Sequence, residues 1–272
     1  MYPFYVAELT YPGTAVKYPN DLPFDYSRSK NIDLVLSSFE SALSEVAIAL
    51  TFFEQTFHFV RPRQFNEPDY TKIWNERRMQ ISQEMYENNR KLPKWEHFSE
   101  IDYKVDIQIR HAQWESGRMP ASYEHRLPFM YAKTFVYALE SIKKLFDGLL
   151  LELKNPIEEP DILRTIQTVR RDFGNAFPNL VGVRDSNAHH DERIRRVAKG
   201  KPIDIKADSN SPINISALMS ETLNGNRFGA TMSDGYYGEV EVSGQSLMIA
   251  RDFIQAAINA FEWIGGKKHV PY

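Results

Sequence analysis

The residues best suited to chemistry in this 272-residue chain lie together between Val183 and Ile194, in the run Val-Arg-Asp-Ser-Asn-Ala-His-His-Asp-Glu-Arg-Ile. Arg184 and His189 stand in the spacing R-D-x-x-x-H, and His190 offers the same arginine a second partner one residue further on. A histidine can take a proton from a hydroxyl near neutral pH. An arginine, always charged, can hold a phosphate and offset the negative charge that builds up during attack. Asp185 and Asn187 stand between the two and are suited to positioning the imidazole or the phosphate. A spacing of four to six intervening residues also catches Arg90 with His97 and Arg118 with His125, so context must separate the three pairs.

That context is a polar centre where an apolar one is expected. A helix packed on both sides should be apolar through its middle, because buried polar groups cost free energy unless they are paired. Directly after the run come Arg193, Arg195, Arg196, Lys199 and Lys201. These cations read either as a nucleic-acid contact or as a solvated helix end, where positive charge also favours the helix dipole. The chain as a whole carries a net charge of −3, which argues against coating nucleic acid by bulk charge and leaves a local site open.

Composition narrows the chemistry further. The absence of cysteine excludes disulfides, thiolate nucleophiles, zinc–thiolate sites and iron–sulfur clusters. No glycine-rich phosphate loop or dinucleotide fingerprint follows a strand pattern, so no cofactor is expected. His190-Asp191 is a literal H-D pair of the kind that helical metal phosphohydrolases use. The nearest upstream histidine, His125, is far away in sequence, and Asp252 is a guess, so no metal is expected. The first residues lack a basic and apolar leader, and no uninterrupted apolar run reaches about 18 residues, so the expectation is a cytoplasmic protein without a membrane span.

The elements that must position the motif are mostly helical. Residues 1 to 30, with four prolines, read as an extended arm laid over the surface. From Asn31, apolar residues at Ile32, Leu36, Phe39, Leu43, Val46, Leu50, Phe53, Phe57 and Val60 recur in steps of three and four, a long core helix ended by Arg61-Pro62. Two more polar helices are predicted over 70–92 and 95–118. His58 in the long apolar helix reads as a core residue, and His97 and His111 in the third helix read as partly exposed packing residues. A helix after Ser122 carries Phe135, Leu139, Ile142, Phe146, Leu149 and Leu153, and a shorter one starts at Pro160. Asn179 is placed to cap a helix running to about Ala198, and this helix carries the motif. The period then switches to two over 213–222, 226–232 and 236–242. With turns at Asn224-Gly225 and Asp234-Gly235, this predicts a three-stranded antiparallel meander. Ser243 caps a last helix, ended by Gly265-Gly266.

The fold class expected is therefore mainly α: a helical bundle with a small β-meander inserted before the last helix. Residues 1–120 form an arm and helical elaboration, and residues 121–272 form the bundle. That bundle, with Arg184 and His189 on its third helix just after a short break, resembles the HEPN family, all-helical proteins whose active members carry R-x4–6-H on that helix. The resemblance covers the C-terminal half only. It implies a metal-independent endoribonuclease that cleaves through a 2′,3′-cyclic phosphate. Arg184 would be the phosphate clamp and His189 the general base, with His190 in reserve and Asp185 and Asn187 supporting. It also implies a homodimer with a composite site, RNA as ligand, and a toxin or defence setting with a neutralising protein partner. Five residues along an ideal helix turn about 140°, so Arg184 and His189 would not share a face within one chain. The alternatives are a helical nucleic-acid- or protein-binding module without turnover, and the HD-type metal phosphohydrolase.

Overall fold

The computed structural model describes residues 4–17, 26–60, 70–88, 94–153, 160–206 and 218–271. The fold is mainly α with small antiparallel sheets. In chain order the elements are β1 (Leu9–Tyr11), β2 (Ala15–Val16), α1 (Tyr26–Val60), α2 (Tyr70–Asn88), α3 (Lys94–Glu115), α4 (Ala121–Leu153), α5 (Pro160–Ala176), α6 (Leu180–Ala188) and α7 (His190–Ile194). There follow β3 (Val197–Ala198), β4 (Lys201–Pro202), β5 (Thr222–Asn224), β6 (Arg227–Thr231), β7 (Tyr237–Glu241), α8 (Gly244–Asn259), β8 (Trp263–Ile264) and β9 (Lys268–Val270).

The chain forms two compact units, Met1–Glu54 with Phe129–Tyr272, and Gln55–Pro128. This division differs from a cut at residue 120, because α1 as far as Glu54 belongs with the C-terminal bundle. The reason is visible in its stripe: Leu36, Phe39, Leu43, Val46, Leu50 and Phe53 are all buried. The matching stripe of α4, Phe135, Leu139, Ile142, Phe146 and Leu149, is buried as well. Ring contacts fix how the helices meet. Phe39 of α1 lies 4.8 Å from Phe146 of α4, Phe146 lies 5.4 Å from Phe173 of α5, and Phe173 lies 5.8 Å from Phe253 of α8. Edge and tilted contacts of this kind add to the stabilisation from buried area. By length and composition, α1 between Lys30 and Phe57 could also cross a membrane, yet half of its apolar window is buried inside the protein.

The smaller unit has its own core, where Ile81 of α2 packs with Ile101, Val105 and Ile109 of α3, flanked by Trp74, Met85 and Tyr86. Arg78 and Asp106 form an ion pair between the same helices. His111 sits beside Trp114 at 5.3 Å, while the side chains of His58 and His97 lie outside the described residues.

The N-terminal segment is not simply laid over the surface. β1 pairs antiparallel with β9, matching Leu9 to Val270, and β2 pairs with β8, matching Val16 to Trp263. Leu9, Tyr11 and Val16 are buried, and the Gln255 side chain on α8 donates to Thr10 O (2.7 Å) and accepts from Thr10 N (2.8 Å). Helix α8 accordingly stops at Asn259. The glycine pair 265–266 instead turns the chain between β8 and β9, with Gly265 at φ +93°.

The meander forms in the order β5-β6-β7, with Leu223 opposite Phe228 and Phe228 opposite Val240. Its first strand begins at Thr222; residues 213–217 of the expected strand lie outside the described residues. Gly235 closes the second turn with φ +88°, and a side chain there would run into the Asp204 carbonyl. Helix α6 packs on β6 and β7, an approach so close that a Cβ on Gly182 would run into Met232 Sδ. That approach places the motif.

Candidate functional site

The helix carrying the motif is interrupted. It starts after Asn179, whose side chain makes no capping bond and instead donates to Glu239 O at 3.4 Å. It ends at Ala188, because His189 adopts φ −108° and ψ 42°. A single short helix, α7, then resumes from His190 and stops at Ile194, well before Ala198. The offset of about 140° for an ideal helix does not carry across this break.

Tertiary bonds hold the interruption. Ser186 is buried and donates its hydroxyl to Thr231 O of β6 at 2.8 Å, while accepting from Arg193 Nε of α7 at 3.3 Å. Arg193 also donates Nη1 to Val197 O at 2.8 Å and lies 3.8 Å from Glu192. With 2 % of its surface exposed, Arg193 is a buried cation that binds α7 to β3 and α6, and it is not available to a nucleic acid as expected. A buried cation must be compensated in this way to be tolerated.

Arg184 is also engaged, though less deeply. It forms an ion pair with Glu140 of α4 and a second with Asp185 at 2.8 Å. Glu140 in turn meets Lys144 at 2.8 Å. The four side chains form one alternating chain of charge, Lys144–Glu140–Arg184–Asp185. Burial alone would raise the Glu140 carboxyl, but the hydrogen bonds and charges of Arg184 and Lys144 outweigh it and hold it below the usual carboxylate range. Arg184 is pushed up because its partnership with Glu140 and Asp185 outweighs the burial that would lower it. Its Nε is buried with no partner among the described residues.

The remaining motif residues divide sharply. Asn187 is 3 % exposed, and its Nδ2 donates to Val183 O, one turn back, at 2.8 Å. It therefore faces the protein and cannot position a ligand as expected, and its Oδ1 is buried without a partner among the described residues. His189 and His190 are both exposed, with no ring partner among the described residues. Arg195 folds back onto Asp191 at 3.2 Å, whereas Arg196 and Lys199 are exposed. The structure thus brings Arg184 and Asp185 together with Glu140 and leaves both histidines in solvent.

Glu140 and Lys144 escape a search for spacing because they lie 44 and 40 residues before Arg184. The one signal for Glu140 is a carboxylate flanked by Leu139 and Ile142, both fully buried. Among the described residues no group of three or more His, Asp or Glu side chains is placed to hold a metal ion, at His190-Asp191 or elsewhere. No protein family, curated protein or solved structure matches this chain.

Proposed function

We propose that this chain is an RNA-cleaving enzyme of the type its motif resembles, working without a metal at the α6–α7 break. The observation that carries the reading is the interruption at His189. It leaves two histidines exposed, without ring partners among the described residues, next to a helix that holds an arginine half-buried and oriented by Glu140. An imidazole in that position can take the proton from a ribose 2′-hydroxyl. The 2′-oxygen then attacks the adjacent phosphorus, the bond to the 5′-oxygen breaks, and that oxygen leaves with a proton from solvent. A 2′,3′-cyclic phosphate remains. Arg184 offsets the charge on the phosphoryl oxygens, and a second copy of the chain completes the site.

A second reading is favoured by the same arginine. Both of its terminal nitrogens already meet carboxylates. An arginine so neutralised fastens α6 to α4, and the surface would then bind RNA without turning it over.

Incubation with mixed RNA in excess chelator, with Arg184→Ala, His189→Ala and His190→Ala alongside, separates the two. The enzyme reading expects cleavage that resists chelation, leaves cyclic phosphate ends and falls about 100-fold or more in His189→Ala. RNA that is bound but stays intact moves the conclusion to the binding module. Cleavage that chelator abolishes overturns both. Light scattering in the same buffer checks the second copy.

A further inference from the structure

We propose that the tight hairpin β3–β4 is a phosphodiester-binding device for single-stranded RNA, built from the side chains of Arg196, Lys199 and Lys201. This rests on the reading of RNA as the ligand, and not on whether the RNA is cut.

β3 and β4 pair Val197 with Pro202 and Ala198 with Lys201, leaving Lys199 and Gly200 as a two-residue turn. Lys199 has φ +50° and Gly200 φ +76°, the doubly left-handed form that glycine and asparagine adopt most readily. Arg196, just before the first strand, is left-handed too, at φ +57°. Among the described residues these are the two non-glycine positions with positive φ. Long basic residues thus occupy two positions where a glycine would be easier to accommodate, and strained positions of this kind gather at functional surfaces.

The framework beneath them is fixed. Arg193 donates to Val197 O at 2.8 Å, Ile203 N donates to Arg196 O at 2.9 Å, and Lys199 N donates to Glu192 Oε2 at 3.0 Å. Two of the basic residues in this stretch are consumed internally, Arg193 by burial and Arg195 by Asp191. Arg196, Lys199 and Lys201 are exposed, and their side chains have no partner among the described residues. The hairpin follows α7 directly and packs against it through β3, so its exposed cations lie on the element next to the one that His190 starts. Guanidinium and ammonium groups on a rigid support fix the register of a nucleic-acid backbone without reading its sequence.

The test is fluorescence anisotropy with a labelled oligouridylate in chelator, across a salt series. In the triple variant Arg196→Gly, Lys199→Gly, Lys201→Ala, glycine takes the left-handed backbone freely, so Tm should hold or rise. The expected result is binding weakened about tenfold or more near 0.1 M salt, with the log–log salt slope reduced by about two, as for three lost single-strand phosphate contacts. Arg195→Ala should change the slope little. Unchanged affinity and slope in the triple variant would overturn the proposal. So would wild-type protein that binds anionic vesicles but not the oligonucleotide. If RNA is bound through the hairpin but never cleaved, this inference stands and the enzyme reading fails. If His189→Ala abolishes cleavage while binding persists, both stand.

Discussion

Removing the Glu140 carboxylate asks whether the arginine of the site is held or free. In Glu140→Ala, Arg184 keeps Asp185 on Nη1, loses its partner on α4, and retains a buried Nε with none among the described residues. Breaking a fully buried ion pair by deleting one partner costs about 3–5 kcal/mol. The Arg184 side chain is 19 % exposed and keeps one carboxylate, so water and Asp185 recover part of that. The expected loss is about 2 kcal/mol. For a unit of this size each kcal/mol moves Tm by about 2–4 °C, so a fall of about 4–8 °C follows. Lys144 adds little, because its side chain is 61 % exposed and rehydrates readily. The decisive measurement is a double-mutant cycle in urea with Glu140→Gln, Arg184→Met and the pair. A coupling energy of about 1–2 kcal/mol is expected, since the two side chains share a charge-assisted hydrogen bond. Coupling below about 0.3 kcal/mol, within the additivity expected of independent sites, would refute the fastening role and leave the guanidinium free for a phosphate.

Acid should weaken the larger unit through two carboxylates. Burial favours the protonated form of Asp147, but the hydrogen bond from Arg170 and the charges of Lys143 and Arg170 hold it below its ordinary value, as Arg184 and Lys144 do for Glu140. A depressed folded-state value gives stability that is complete above the unfolded values, 3.8 and 4.5, and is lost as pH falls through the folded ones. Urea midpoints should therefore decline below about pH 4.5 and less steeply in Glu140→Gln; an equal decline in both would contradict this account. Ser186→Ala removes the donor to Thr231 O and an acceptor from buried Arg193, so a loss of about 1–3 kcal/mol by chemical denaturation is expected. In Tyr11→Phe the buried hydroxyl that donates to Leu36 O at 3.0 Å is lost, and about 1 kcal/mol of stability should go with it. A Tyr11→Phe variant as stable as the parent would mean that the hydrogen bond to Leu36 O contributes nothing to the unit.

The helices that lie on a continuous apolar stripe were legible in the sequence, because a stripe is a local property. The steps of three and four from Leu36 to Phe53 and from Phe135 to Leu149 are buried as the period requires. Ser243 is likewise a cap that needs only its neighbours, accepting from Ser246 N at 3.2 Å. What misled the reading is non-local. Asn179 looks like a cap but spends its side chain on Glu239 O, 60 residues away. The proline-rich start looks like a loose arm, yet its strands find partners at the other end of the chain. The motif helix looks continuous to Ala198, since nothing between Ala188 and Val197 breaks a helix by residue type. The bonds from Ser186 to β6 and from Arg193 to β3 come from the fold and support the break at His189. Lys199-Gly200 is a weaker turn signal than Asn-Gly, and the hairpin it closes stands where the sequence predicts the end of a helix.

The cations around α6 and α7 show why residue type and spacing alone could not settle the site. Arg184, Arg193 and Arg195 are each committed to a carboxylate or a carbonyl of the same chain, at increasing exposure from Arg193 through Arg184 to Arg195. A phosphate meeting Arg193 would have to strip a buried ion of its partners, which desolvation makes prohibitive. Meeting Arg195, it would compete with an exposed pair worth at most about 1 kcal/mol. Arg184 lies between these limits. Its contact with Asp185 is open to solvent on the carboxylate side, while its contact with Glu140 is not. A phosphate can therefore replace Asp185 on Nη1 without disturbing Glu140, so Glu140 can orient the arginine while Asp185 gives way. Under the proposed RNA-cleaving reading, fastening and clamping would be successive uses of one guanidinium, and Asp185 would be the residue whose charge opposes the ligand until it arrives.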